Sequence, residues 1–382
     1  MPPARCTANV AQLPGTIITP VLNAPIPSNT NVLWCASLQL AWNESGITST
    51  DPLLAPLSQP VVTKSDISPR DLIVCSGPNT SSLRHRIRHE LTSRFGENAP
   101  TPLLDQWGPV PGIGFYTYMR LAMPFEYAFE QLTPVANPKS DDDTPSDAPH
   151  PPFAYAAFGL ESYKPDNPGM QKMGQQVRII WHQYSREPER QEHFVVELRT
   201  KSPNFRLFLA KLPSQTTLYH AVEAVLARVT HPNEGTIAGL YAQMQVLNQA
   251  AEAQHDAESS HDLMEKIISA YDHLSVLMDR DGLEIPVLDF DLTKRFDELT
   301  GRRTNAGPVA YLAQRIRFKL DHTGANLESE SAGSIFAMEP RMFVFRPPFL
   351  ILIVSAKSAR PILACWIGNS ELLTPAPPSV KN

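Results

Sequence analysis

Two apolar runs near the C-terminus, Phe349 to Val354 (FLILIV) and Ile362 to Ile367 (ILACWI), constrain this chain more than any other feature. Successive side chains of a strand point to opposite faces, so a strand apolar at every position must be covered on both sides. Both runs are far too short to span a bilayer. Joined across SAKSARP, they must lie inside a packed sheet.

The elements before them are mixed in order. Arg315 to Leu320 alternates strictly, with Ile316, Phe318 and Leu320 on one face and Arg315, Arg317 and Lys319 on the other. Further strands are expected at Phe115 to Leu121, Val177 to Tyr184, Phe194 to Thr200, Phe205 to Leu212 and Val287 to Leu292. Leu83, Ile87 and Leu91 at four-residue steps predict a helix over Ser81 to Phe95, and Tyr219 to Val229 reads as another. A buried helix is expected over Val32 to Trp42, capped by Asn31 and stopped by Gly46. Residues 236–280 carry two apolar stripes around the polar stretch AEAQHDAESSHD, which predicts a helical hairpin. Strands and helices without regular βα alternation predict one α+β domain with mostly antiparallel sheets. Its expected span is 31–375, after an extended segment at 1–30, with an acidic, proline-rich solvated loop at 134–152.

Composition narrows the function classes. The 37 prolines against 18 glycines shorten helices and favour loops and strand ends. A net charge of −6 gives no global reason to expect nucleic acid or an anionic membrane as partner. Cys6, Cys35, Cys75 and Cys365 are scattered, so no zinc site or dense disulfide framework is expected. The N-terminus lacks a basic start before a long apolar run, so a cytoplasmic protein is the expectation, with secretion left open. Catalytic motifs are missing: there is no Gly-x-Ser-x-Gly and no His-Glu-x-x-His, and prolines interrupt Gly108, Gly112 and Gly114. Neither an enzyme nor a cofactor is expected. His85 and His89 stand one helical turn apart without a third ligand, so no metal is expected. Arg84, Arg86 and Arg88 lie in a basic cluster that reads as a solvated helix face or as a contact for a polyanion.

At the C-terminus the pattern becomes specific. FVFRPPFLILIVSAKSARPILACWIGN resembles the end of the serpin family, where Pro-Phe opens a buried strand and a hairpin returns to a glycine; here these are Pro348-Phe349 and Gly368. IRFKLDHTGANLESESA is similar to the strand and hinge before the serpin reactive loop, with Gly324 at the hinge glycine. HFVVELRTKSPNFRLFLAKLP, IPVLDFDLTKRFDELTG, NTNVLWCASLQLAW and FEYAF resemble other serpin segments in order and spacing. The resemblance implies a serpin-like fold with an exposed reactive loop at 324–345, and a serine-type protease as partner. It also implies loop insertion, in which the cleaved loop enters a sheet as a new strand.

Insertion requires alternate side chains that can enter a core. Counted from Gly324, the inward set is Ala325, Leu327, Ser329 and Ser331, while Asn326, Glu328 and Glu330 face out. A one-residue slip would bury both glutamates. The scissile bond implied by that count lies near Met338, with Ala337 and Glu339 as neighbours. The sequence departs from the inhibitory pattern at the bulky Leu327 and at polar residues where the family has small ones. Fewer residues precede the strand near Phe115 than the family places there, and 236–280 reads as an insertion. A serpin-fold protein that inhibits nothing and binds a protein partner through 236–280 is the alternative reading.

Overall fold

A computed structural model describes residues 6–59, 61–97, 99, 102–108, 112–132, 155–183, 193–232, 273–323 and 341–376. In chain order the first half holds β1 (Cys6–Asn9), β2 (Thr16–Ile18), β3 (Asn31–Cys35), α1 (Ser37–Ser45), β4 (Leu72–Pro78), α2 (Ser81–Phe95), α3 (Pro102–Asp105), β5 (Ile113–Met119), β6 (Glu130–Leu132), β7 (Ala157–Leu160), α4 (Pro168–Gly174) and β8 (Val177–Gln183). There follow β9 (His193–Leu198), β10 (Phe205–Lys211), α5 (Leu218–Thr230), β11 (Gly282–Pro286), β12 (Leu288–Arg295), β13 (Arg303–Thr304), β14 (Gly307–Pro308), β15 (Ala313–Leu320), β16 (Met342–Val344), β17 (Phe349–Ser355) and β18 (Pro361–Ile367).

The two apolar runs are β17 and β18, and all seven residues of each are buried. They pair antiparallel, Phe349 against Ile367 and Leu352 against Ala364, inside a seven-stranded sheet ordered β2-β3-β18-β17-β10-β9-β8. Covering both faces of such strands stabilises the fold by about 1.5–3 kcal/mol per large apolar side chain. After β18 the chain passes so close to Thr30 that a Cβ on Gly368 would stand 2.3 Å from the Thr30 carbonyl oxygen, so only glycine fits. Buried Asn31 secures this crossing: its Oδ1 accepts the Gly368 and Asn369 N–H groups at 2.9 and 3.1 Å.

Three further sheets frame the functional region. One is ordered β16-β11-β7-β6, another β1-β12-β15, and β4 pairs only with β5 among the described residues. Pro286 ends β11 and the chain changes sheets at Val287, whose N–H reaches Ala156 O at 2.8 Å and whose carbonyl accepts Thr374 N–H. The expected strand from Val287 to Leu292 is the first part of β12, which runs on to Arg295, and β11 before it lies in a different sheet. The architecture is α+β with mostly antiparallel sheets, as expected.

Several expectations change in detail. Val32 to Trp42 is not one helix. Asn31–Cys35 is a strand buried at every position, and the helix runs Ser37–Ser45 before Gly46. A strand covered on both faces followed at once by a helix presents one unbroken apolar run, in which a helical period fits by coincidence. Residues 1–30 include extended stretches, but two of them are sheet strands: β1 pairs parallel with β12, and β2 parallel with β3. The expected loop 324–345 is too long at its far end. Met342–Val344 is a strand parallel to β11, and Phe343 and Phe345 are fully buried against Phe194. Of the expected hairpin 236–280, residues 236–272 lie outside the described residues, and 273–280 form bends and turns around buried Leu274 and Leu277. The acidic loop 134–152 also lies outside them.

Candidate functional site: a slot between two strand edges

Among the described residues, β15 has a single ladder partner, β12, and β5 has a single partner, β4. The remaining edges of β15 and β5 flank a cavity of about 110 Å³. Edges normally need covering, because their unpaired backbone groups are templates for another strand. The outer edge of β12 is covered by β1, from Cys6 against Phe290 to Asn9 against Thr293. At the outer edge of β4, Arg94 donates to Leu72 O at 3.1 Å and Arg86 to Ser76 O at 2.9 Å. The slot is thus the edge pair in this region that has neither treatment.

Its floor is α1, which contributes Ser37, Leu38 and Ala41. Trp42, buried on the same helix, meets Phe115 of β5 edge-on with ring centroids 6.0 Å apart. On the other wall Gln314 is 3 % exposed and donates through Nε2 to Cys35 O at 2.9 Å and to Ser37 Oγ at 3.0 Å. Arg315 forks onto Asp291, with Nε to Oδ1 at 2.6 Å and Nη2 to Oδ2 at 2.5 Å. Donating to Asp291 raises the guanidinium above its ordinary range. Burial likewise pushes the Tyr116 phenol up, so the slot walls carry no free charge from these groups. Leu103 and Trp107 complete the lining. The Trp107 ring rests on the backbone of β5: a Cβ on Gly114 would lie 2.3 Å from Trp107 Cζ2.

The segment 324–340 leaves β15 and returns at Arg341, and both ends are fastened. At the first end His322 O accepts the Phe129 N–H at 3.1 Å, and the Gln131 amide contacts the His322 ring. FEYAF is thereby tied to the foot of the segment, with Phe125 and Phe129 packed edge-on at 5.0 Å. At the second end Arg341, 2 % exposed, meets Asp281, 0 % exposed. Arg341 donates to Asp281 from its backbone N at 2.9 Å, Nε at 3.0 Å and Nη2 at 2.6 Å, and Nη2 also reaches Val276 O at 2.7 Å.

The hinge residues Gly324, Ala325, Leu327, Ser329 and Ser331, and the bait region Ala337, Met338 and Glu339, lie outside the described residues. The basic residues lie on α2, each with a local acceptor. Arg84 donates to Asn79 Oδ1 at 3.0 Å, Arg86 to Ser76 O, and Arg88 pairs with exposed Asp105 at 3.0 Å. The slot itself was not expected from the sequence, because its walls come from distant parts of the chain and neither wall advertises its missing neighbour.

No family model matches this chain, and no curated protein does. Solved structures of serpins align with it over most of its length. "Crystal structure of native protease nexin-1 with heparin" aligns at a TM-score of 0.42 and 11 % identity, covering 89 % of this chain and 92 % of that one. Human glycosylated kallistatin aligns at a TM-score of 0.40 and 11 % identity, covering 93 % and 92 %.

Proposed function

We propose that this chain is a serpin-like suicide substrate of serine-type proteases, with the segment after β15 as bait and the slot between β5 and β15 as its receiver. One observation carries the reading: the edge of β15 that has no ladder partner among the described residues belongs to the same strand that leads into 324–340, so that segment can fold back as a neighbour for it. A protease attacks the bond near Met338, and its serine becomes esterified to the new carboxyl end. The freed arm then enters the slot and draws the acylated enzyme with it.

The physical chemistry of the slot supports entry of a strand. Pairing on both edges adds on the order of one hydrogen bond per inserted residue, each worth about 1 kcal/mol net. Leu38 and Ala41 on the floor suit the small inward residues Ala325, Ser329 and Ser331, while Glu328 and Glu330 stay in solvent. Leu327 is the bulky member of the inward set, and it slows entry. Partition between trapping and simple cleavage is set by that rate.

The test is incubation with serine proteases of apolar, small and basic primary specificity, read on denaturing gels and by thermal melts. A covalent band near the summed masses, with cleavage near Met338, is the expected result. Cleavage there without either a complex or a rise in thermal midpoint refutes insertion; resistance of 324–340 to every protease refutes the bait assignment.

A further inference from the structure

We infer that the cavity along the outer edge of β4 binds small N-acyl amino-acid carboxylates, the chemistry of a peptide's C-terminal residue. The parity of one strand is the starting point. At both ends β4 is bonded to the β5 side through odd-numbered residues: Asp71 O accepts the Arg120 N–H at 2.9 Å, and Asn79 donates to Gly112 O at 2.8 Å. Backbone groups of an antiparallel strand alternate between its two edges, and the register from Leu72 to Pro78 has no break, so those of Leu72, Val74 and Ser76 face away from β5. The arginine caps agree, since Arg94 takes Leu72 O and Arg86 takes Ser76 O. Val74 lies between the caps, and neither its N–H nor its carbonyl has a partner among the described residues.

Val74 lines a cavity of about 300 Å³, walled by Arg86, Glu90 and Arg94 on one face of α2 and by the segment that carries Lys64 and Ile67. The charges around it are unequal. Lys64 pairs with Glu44, and Arg94 with Glu90. Arg86 has a carbonyl, and no carboxylate, as its acceptor among the described residues, so the cavity favours an anion. The Cys75 thiol does not oppose one, because burial pushes it up and keeps it neutral. An occupant therefore needs an acceptor for the Val74 N–H, a donor for the Val74 carbonyl and a negative charge toward Arg86. An acylated amino acid carries all three: its amide N–H donates, and its carboxylate accepts and bears the charge. Ile67 and Ile73 give its side chain an apolar seat. A dry cavity of roughly 150 Å³ holds benzene, so about 300 Å³ suits about a dozen heavy atoms, the size of N-acetylleucine. This binding does not rest on the bait reading, because the slot lies along the opposite edge of β5.

N-acetylleucine is the probe, added to the full chain and followed by ligand-observed NMR and by the alkylation rate of Cys75, which lines the cavity, with half-buried Cys6 as internal control. Saturable binding that slows alkylation at Cys75 and not at Cys6 is expected. N-acetylleucinamide, which lacks the charge, and 4-methylpentanoate, which lacks the amide, should each bind about tenfold more weakly. Arg86→Gln keeps a donor for Ser76 O and removes the charge. It should weaken N-acetylleucine about tenfold and leave N-acetylleucinamide unchanged. Val74→Pro is the second variant: it removes an N–H that faces away from β5, so the ladder survives, and it should weaken both N-acyl ligands. If Val74→Pro folds poorly, Arg86→Gln decides alone. No saturable binding, meaning that water alone fills the cavity, overturns the inference; so does equal binding of N-acetylleucinamide, binding that leaves Cys75 alkylation unchanged, or binding indifferent to Arg86→Gln. Acetyl-Ala-Ala-Leu separates the two sources of this chemistry. Binding tighter than that of N-acetylleucine supports the site as one for the C-terminal end of a chain, and weaker binding supports it as one for a free acylated amino acid.

Discussion

Arg341→Met tests whether the far end of the bait segment is held as tightly as the geometry implies. Methionine replaces much of the buried stem but removes a guanidinium that donates twice to Asp281 and once to Val276 O. Asp281 keeps the N–H groups of Met278 and of residue 341, at 2.8 and 2.9 Å, as donors for a carboxylate with no exposed surface. Removing one partner of a buried pair costs about 3–5 kcal/mol, because the other charge stays behind uncompensated. At about 2 °C per kcal/mol for a large domain, the thermal midpoint should fall by roughly 6–10 °C. Chemical denaturation should give the same loss, and hydrogen exchange should quicken first at Met342 to Val344, the strand that this pair fastens beside β11. The double variant Arg341→Met, Asp281→Leu removes both members of this pair, so it should recover more than half of the loss. A cost below about 1 kcal/mol, the range of exposed pairs, would refute the reasoning.

Arg88→Ala removes an ion pair with Asp105 whose side chains are 52 % and 54 % exposed, and it should cost less than about 1 kcal/mol by urea denaturation. Gly368→Ala forces a Cβ against the Thr30 backbone at 2.3 Å; the crossing must open, and a melt should show one of the larger losses of any single-methyl change in this chain. Burial, followed by the nearby Glu161 charge, raises the Glu130 carboxyl above its ordinary range. A raised folded-state value means that stability is fully present below the unfolded value and is lost as pH rises through the folded one. Glu130→Gln should therefore stabilise the protein at neutral pH, and the gain should vanish under acid conditions where both carboxyl states are protonated; a gain independent of pH would contradict that cause.

The parts of this fold legible in the sequence are those whose environment repeats along the chain. α2 runs Ser81–Phe95 as its four-residue apolar steps dictate, with Thr80 accepting the Leu83 N–H as cap. β15 has one face in the core and one in solvent, and its alternation says so: Ile316 and Leu320 are buried, Arg317 and Lys319 exposed. Where the environment is uniform the period disappears. Asn31–Cys35 is covered on both faces, as β17 and β18 are, yet it abuts a helix with no polar punctuation between them. Length alone separates a buried strand from a buried helix, and here the junction hid the length.

The N-terminal strands and the slot escaped for a different reason: each is a relation between distant segments. β1 reads CTAN, with no apolar stripe, and is a strand because the outer edge of β12 needs a partner. This covering bears directly on the slot. If residues 6–9 did not pair with β12, the sheet β1-β12-β15 would offer two open edges, and a free strand could add on either side. With β1 in place, the edges of that sheet among the described residues are the four-residue β1 on one side and β15 on the other, and the edge of β15 looks across the cavity at β5. Arg86, one of the basic residues that the sequence suggested for a polyanion, helps on the far side by occupying Ser76 O at the outer edge of β4. Four short residues and two arginine side chains thus leave the slot as the place in this region where an added strand gains hydrogen bonds on both sides, a preference set by backbone pairing that no local motif records.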